Sequence, residues 1–164
     1  MPEKETVERA RRDKREGKSP STQAGEFVRE EMEHIREGKH GARNTKQAIA
    51  IGLSKARRAG VALKPPAKSK TSEKTRRSAE RAYEKRQRHE PISGTRSRAR
   101  ERALKREGRS AASHNALSRQ AKLAAQGRSA SDRPEAAKKA ARTKGPGERH
   151  EAAMKAARTR ARNA

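Results

Sequence analysis

The sequence predicts an all-α protein, in which a small two-helix hairpin carries a long, largely disordered or loosely helical arm rich in Ala, Lys and Arg. Only 29% of the residues are hydrophobic, 40% are charged, and the formal net charge is +25. Such a chain buries too little apolar surface to offset the entropy lost on ordering. Large apolar residues with helical spacing are concentrated between residues 27 and 63. That stretch is therefore the predicted folded part.

The charge is distributed unevenly along the chain. Residues 1–63 contain 15 Lys/Arg and 10 Asp/Glu, a net charge of +5, whereas residues 64–164 contain 30 and 10, a net of +20. This asymmetry indicates a small head followed by a basic arm. The predicted organisation has a charged flexible N-terminus (1–21), a helical hairpin (22–63), a linker (64–72) and a basic, repeat-containing arm (73–164).

The first helix of the hairpin is predicted over residues 22–38. Val28, Met32 and Ile35 follow the i, i+4, i+7 spacing of one helix face. Thr22 is the expected N-cap, and Gly38 or the next glycine ends the helix.

The second helix is predicted from about residue 45 to residue 59. Asn44 or Thr45 can cap its first turn, and Gly60 stands where a C′ glycine belongs. The two helices should fold back on each other as an αα-hairpin. Nine large apolar residues are expected in its core: Phe27, Val28, Met32, Ile35, Ile49, Ile51, Leu53, Val61 and Leu63. This core is marginal for an isolated unit, so a homodimer through the hairpin is a further expectation.

The arm contains short helix-prone segments separated by Gly or Pro. Residues 135–144 recur at 151–160 with eight of ten positions identical, which is a strong internal repeat. Neither copy has the apolar bulk to stack into a core. We therefore interpret the copies as tandem charge-bearing helices on flexible joints.

A polyanion is the partner that this charge distribution favours, and DNA is favoured over RNA. Closely spaced cations bind phosphates and release condensed counterions, without reading the base sequence. The leading hypothesis is a non-enzymatic, nucleoid-associated protein that binds nucleic acid largely independently of sequence. An RNA- or ribosome-associated basic protein and a polyphosphate binder are the alternatives. The candidate binding residues are Lys138, Lys139, Arg142, Lys144, Lys155, Arg158, Arg160, Arg162, Lys46, Gln47, Arg57 and Arg58.

Other modes of recognition have less support in the sequence. Asn44, Lys46 and Gln47, at the start of the second helix, are residue types that hydrogen-bond bases, but they are also ordinary first-turn residues. Phe27 and Tyr83 are the only aromatic residues, too few for a base-stacking platform.

We expect no enzyme activity, no cofactor and no metal. The five histidines are scattered and have no cysteine partners. Glu30 and His34 lie one helical turn apart, and we interpret this pair as structural. The chain contains no glycine-rich phosphate loop and no nucleophile motif.

The expected location is the cytoplasm, at the nucleoid. The absence of cysteine fits a reducing compartment. Residues 2–20 contain no apolar segment of the secretory kind. The longest apolar run, residues 48–51, is far shorter than the roughly 20 residues that span a bilayer, so no membrane partner is expected.

Residues 32–60 carry a resemblance to a known family. Met32, Ile35, Gly38 and Lys39, and above all the string Lys-Gln-Ala-Ile-Ala-Ile at 46–51, resemble a family of small basic bacterial proteins of unknown function. Gly52 stands where alanine is commoner, and the loop between the helices is shorter. The resemblance implies a bacterial source and no established activity. The arm is similar, in composition only, to linker-histone-like bacterial tails.

Overall fold

The computed structural model describes residues 2–68, 71–87, 93–127 and 129–163, and the regular structure within them is helical. This confirms the all-α class. The chain divides into an N-terminal unit (residues 1–120) and a C-terminal unit (residues 121–164). The α-helices are α1 (Lys4–Arg15), α2 (Pro20–Arg36), α3 (Thr45–Arg58), α4 (Glu73–Gln87), α5 (Gly94–Lys105), α6 (His114–Gln126) and α7 (Asp132–Asn163), with a short 3₁₀ turn at Ser110–Ala112.

Helix α1 belongs to the packed part of the N-terminal unit. Its Ala10 is buried, and Val7 packs beside it against a cluster that includes Phe27 of α2. Buried Asp13 pairs with Lys18 at 3.0 Å. The charged pattern of residues 1–21 predicts a flexible terminus, whereas in the structure most of this stretch forms a helix that packs on α2.

Helix α2 begins two residues earlier than predicted because Ser19, not Thr22, is its N-cap. The Ser19 hydroxyl accepts a hydrogen bond from the Thr22 amide, and Pro20 occupies the first turn, where its missing amide hydrogen costs nothing. The helix ends before Gly38, which has a φ of 80°. Only glycine adopts that conformation without strain.

Helix α3 agrees with the predicted caps. The Asn44 side chain accepts from the Gln47 amide at 2.9 Å, and Gly60 follows the helix with a φ of 103°. The segment after Gly60 returns across the helix end, where Val61 is buried and Leu63 is half-buried.

Alanine makes up most of the core of the N-terminal unit. Of the 13 buried apolar residues among those described, eight are alanine. Small side chains contribute little buried area each, so the helices must approach closely to exclude water. Of the predicted core residues, Phe27, Met32, Ile35 and Val61 are buried, and Val28, Ile49, Ile51, Leu53 and Leu63 are half-buried.

Helices α2 and α3 approach each other closely at Gly52. A Cβ atom at this position would lie 2.7 Å from the Cα of Val28 and 3.0 Å from the carbonyl oxygen of Phe27. The neighbouring atoms are largely backbone and cannot rotate away. Glycine is therefore needed at residue 52 for these two helices to pack at this distance.

A segment of the predicted arm, residues 104–112, docks on the α2–α3 pair. The backbone amide of Gly41 donates to the carbonyl of Leu104 at 2.9 Å, and the amide of Ala42 donates to the carbonyl of Gly108 at 3.0 Å. The loop between α2 and α3 thus forms a short stretch of backbone pairing with a segment more than 60 residues away.

Side chains of α2 and α3 complete this docking. The Thr45 hydroxyl donates to the carbonyl of Ala111 at 2.7 Å, and Arg36 Nε donates to the carbonyl of Ala112 at 3.0 Å. Ala111 and Ala112 are both buried and join the core cluster around Ile35. Backbone carbonyls removed from water need such partners.

The all-α class was predicted correctly, but the predicted division into a two-helix hairpin and a largely disordered or loosely helical arm is wrong, because the folded unit contains more helices than the hairpin. Helix α1, the 104–112 segment and α4, which packs on α3, all belong to the N-terminal unit. The physical reason is that the hairpin's few large side chains leave apolar faces that alanines from elsewhere can cover. In the C-terminal unit, most of the described residues of the arm are helical.

Replacement of Gly52 by alanine tests the close contact of α2 and α3. We expect Gly52→Ala to destabilise the N-terminal unit by about 1–3 kcal/mol, the usual cost of overpacking. The measurement is the urea midpoint followed by circular dichroism. Gly25→Ala is the matched control: nothing lies within 4 Å of its Cβ position, so it should stabilise α2 by roughly 0.5–1 kcal/mol. Equal effects of the two changes would contradict this packing.

Replacement of Gly41 tests the docking of residues 104–112. A Cβ at Gly41 would overlap the carbonyl group of Glu107, whereas one at Gly108, on the other side of the contact, meets nothing within 4 Å. We expect Gly41→Ala to accelerate hydrogen exchange at the Ala42 amide, because the bond to Gly108 is lost. Gly108→Ala should leave that exchange rate close to the wild-type value. Protection at Ala42 that survives Gly41→Ala would show that the segment is held some other way.

Candidate nucleic-acid interface

The candidate residues of the C-terminal unit lie on α7, and each one whose side chain is described is exposed. These are Lys138, Lys139, Arg142, Lys155, Arg158, Arg160 and Arg162; the side chain of Lys144 lies outside the described part. Lys138 pairs with Glu135 at 3.1 Å, both largely in solvent. Among the described residues, no carboxylate forms an ion pair with Arg142, Lys155, Arg158, Arg160 or Arg162. Their charges are therefore available to a ligand.

A break in α7 separates the two copies of the repeat. Gly145 has a φ of 67° and a ψ of 172°, outside helical geometry, and Pro146 follows it. Proline is tolerated at the first position of a helix. The copies at 135–144 and 151–160 thus occupy different helical pieces, in agreement with the predicted joint.

The start of α3 does not present its polar residues freely. The side-chain oxygen of Gln47 accepts from the Arg43 amide at 2.8 Å, while Asn44 accepts from the Gln47 amide. This reciprocal arrangement is a form of capping box. Base readout by Asn44 or Gln47 would require breaking the cap. Of the three candidates Asn44, Lys46 and Gln47, Lys46 is the exposed cation.

Arg57 and Arg58 are adjacent in sequence but differ in environment. Arg57 is buried, and its Nε donates to the carbonyl of Leu63 at 3.1 Å. Burial lowers the pKa of Arg57, although a guanidinium stays charged in proteins. This side chain ties the segment after α3 to the helix and is not exposed for a ligand.

Arg58 is exposed and belongs to the surface. Desolvation by its neighbours and then the like charge of Arg100 lower the pKa of Arg58. The effect of Arg100 on Arg58 indicates that these two exposed cations, one on α5 and one on α3, lie near each other. Sequence analysis missed Arg100, because α5 contains several arginines and no periodic signal distinguishes one from another.

The acidic residues of α1 and α2 are largely paired with cations. Glu26 contacts Arg9 at 2.7 Å and Arg29 at 2.8 Å. A hydrogen bond from His34 and then one from Lys39 lower the pKa of Glu3. These pairs compensate the negative charge of the N-terminal helices locally.

A buried ionic cluster lies between α2 and α3. Glu30 and Glu31 are 1% and 0% exposed, and both contact Lys55 Nζ, at 3.1 and 2.8 Å. Sequence analysis paired Glu30 with His34, but the structure brings His34 and His40 toward Glu31 instead. The i, i+3 spacing of Glu31 and His34 could have indicated from the sequence that these two side chains lie close together. The position of His40 depends on the conformation of the loop after α2, so it could not have been predicted.

Comparison with known proteins leaves the family open: no family model, curated protein or solved structure matches this chain. Among the described residues, no helix combines the length and apolar character needed to cross a bilayer.

Substituting Arg57 and Arg58 separately tests the distinction between them. Arg57→Met removes the buried guanidinium that donates to the Leu63 carbonyl, so we expect a loss of about 1–3 kcal/mol in the free energy of unfolding. Arg58→Met should change stability little but weaken binding to duplex DNA. Urea denaturation and fluorescence-anisotropy titration measure the two effects. If Arg57→Met weakened binding and Arg58→Met did not, the assignment of Arg58 as the arginine that contacts DNA would be wrong.

Proposed function

We propose that the protein is a non-enzymatic nucleic-acid-binding protein that contacts phosphates largely without regard to sequence, at the bacterial nucleoid. The observation that carries this proposal is the set of exposed cations on α7, five of which form no ion pair among the described residues: Arg142, Lys155, Arg158, Arg160 and Arg162. Cations whose charge is not compensated by carboxylates gain most from neutralising phosphates. The paired cations of α1 and α2 have less to gain.

The distribution of charge between the two units supports a contribution from both. Residues 121–164 contain 12 Lys/Arg and 4 Asp/Glu, a net of +8, and residues 1–120 contain 33 and 16, a net of +17. The C-terminal unit has fewer cations but three for each carboxylate, against about two in the N-terminal unit. Exposed cations of the N-terminal unit, which can also contact phosphates, are Lys46, Arg58 and Arg100.

Phosphate contact agrees better with these residues than base readout does. Lys and Arg on a helix reach backbone oxygens of any sequence, whereas readout needs amide and guanidinium groups held in fixed positions. The two amide side chains at the start of α3 are used in its cap. An RNA duplex or polyphosphate presents similar charge, so both remain the alternatives to DNA.

The salt dependence of binding in the full-length protein tests the role of α7. We expect a steep linear fall of log affinity with log salt concentration, with a slope near −0.9 per phosphate neutralised on duplex DNA. Replacing Lys138, Lys139, Arg142, Lys155, Arg158 and Arg160 by Gln should flatten that slope by up to about 5.

The matched control exchanges Lys for Arg and Arg for Lys at the same six positions. This variant keeps the charge, so its slope should equal that of the wild type. Affinities for duplexes of unrelated sequence should agree closely, because phosphates carry no sequence information. A Gln variant with an unchanged slope, or tight binding to a single duplex sequence, would refute phosphate contact through α7. Stronger binding to duplex RNA or polyphosphate than to DNA at equal salt would favour the alternatives.

A further inference from the structure

Three side chains with metal-binding atoms converge where α2 meets the loop that follows it. One ligand atom each from Glu31, His34 and His40 can be chosen so that all three lie within 4.8 Å of one another. His40 Nε2 and Glu31 Oε1 are 3.3 Å apart. In a tetrahedral site with bonds of about 2.0–2.1 Å, ligand atoms are roughly 3.3 Å apart. The pair is therefore already at the spacing of two ligands of one ion.

Each imidazole has one nitrogen within hydrogen-bond distance of an oxygen atom that is not part of the cluster. His34 Nε2 lies 2.8 Å from Oε1 of Glu3, and His40 Nδ1 lies 3.1 Å from the carbonyl oxygen of Gly41. An imidazole that donates from one nitrogen keeps a lone pair on the other. Metal-ligating histidines commonly donate their second nitrogen to a carboxylate or a backbone carbonyl, as these two do.

Glu31 lacks the hydrogen bonds that a buried carboxylate requires. Its side chain is 0% exposed, and its two oxygens make ion-pair contacts, with Lys55 and His40, that lack hydrogen-bond geometry. Lys55 lies 2.8 Å from Oε2, but the same ammonium also neutralises Glu30. Two buried carboxylates thus share one cation. A buried carboxylate whose charge is not fully compensated is costly. A second cation beside Oε1 would supply the missing positive charge.

We propose that Glu31, His34 and His40 bind a divalent transition-metal ion of the zinc class. Two imidazole nitrogens and one carboxylate oxygen form a set that zinc accepts, whereas Mg²⁺ and Ca²⁺ prefer sites made of oxygen atoms. The ion links two residues of α2 with the loop that carries His40. Since Gly41 and Ala42 of that loop pair with residues 104–108, the metal stabilises the surface on which this segment docks. The site is independent of the nucleic-acid proposal.

Zinc binding to the full-length protein tests the site. Protein stripped with EDTA and desalted is titrated with ZnCl₂ in competition with a chromophoric chelator, and the bound metal is counted by elemental analysis. We expect about one zinc ion per chain and a melting temperature that rises with zinc concentration. Co²⁺ should give the visible absorption of a tetrahedral nitrogen and oxygen site, and Mg²⁺ should not compete.

Single substitutions identify the ligands. His34→Gln and His40→Gln should each lower zinc affinity by roughly 100-fold or more, and Glu3→Gln, which removes only the charge on the carboxylate that orients His34, by roughly 10-fold. The double variant His114→Gln/His150→Gln is the control, because both histidines are exposed and lie outside the cluster. It should bind zinc as the wild type does.

Three results would overturn the proposal. They are no zinc retained by the wild type, equal zinc affinity in the His40→Gln variant, and loss of zinc binding in the His114→Gln/His150→Gln control. Circular dichroism shows whether each variant is folded. If neither His34→Gln nor His40→Gln folds, two other measurements test the site. A Co²⁺ spectrum of the wild type that is not tetrahedral would refute it, and so would a zinc affinity of the Glu3→Gln variant equal to that of the wild type.

Discussion

Close contact between α2 and α3 at Gly52 is the constraint from which the rest of the N-terminal unit follows. Most of its buried apolar residues are alanines, so burial depends on short distances between helix backbones more than on bulky side chains. The absence of a Cβ at residue 52 permits that distance. The same proximity lets Lys55 of α3 reach both buried carboxylates of α2.

Local signals in the sequence were enough to predict α2 and α3. Cap residues and the positive-φ glycines act within a few residues of the helix ends, so Asn44, Gly38 and Gly60 could be interpreted without tertiary information. Docking of residues 104–112 could not be predicted, because it depends on backbone amides and carbonyls that are the same in every residue. Ala111 and Ala112 show no periodicity, and alanine occurs throughout the arm. Their burial depends on the face left open by Ile35 and its neighbours.

The candidate binding residues show the same division between local and tertiary information. Exposure of the α7 cations followed from the lack of any apolar face, a property of the segment itself. Arg57 differs from Arg58 in its environment because it bonds to the carbonyl of Leu63, in the segment that follows α3. The side chain of Gln47 is held by the amide of Arg43, in the loop before α3. Sequence reasoning could identify residue types able to bind phosphates. It could not identify which of them the protein uses to hold its own chain together.

The docking of residues 104–112 also determines how the chain responds to a cut. The chain between α3 and α5 connects the α2–α3 pair to residues 104–112. These two parts are also held together by hydrogen bonds between Gly41 and Leu104 and between Thr45 and Ala111, which do not depend on the connecting chain. A protease that cleaves after Lys68 would therefore yield two fragments that remain associated under native conditions and separate only in denaturant. We therefore expect the two fragments to reassociate when they are mixed. A truncation that ends at residue 63 would instead expose the amides of the α2–α3 loop and an uncovered alanine face.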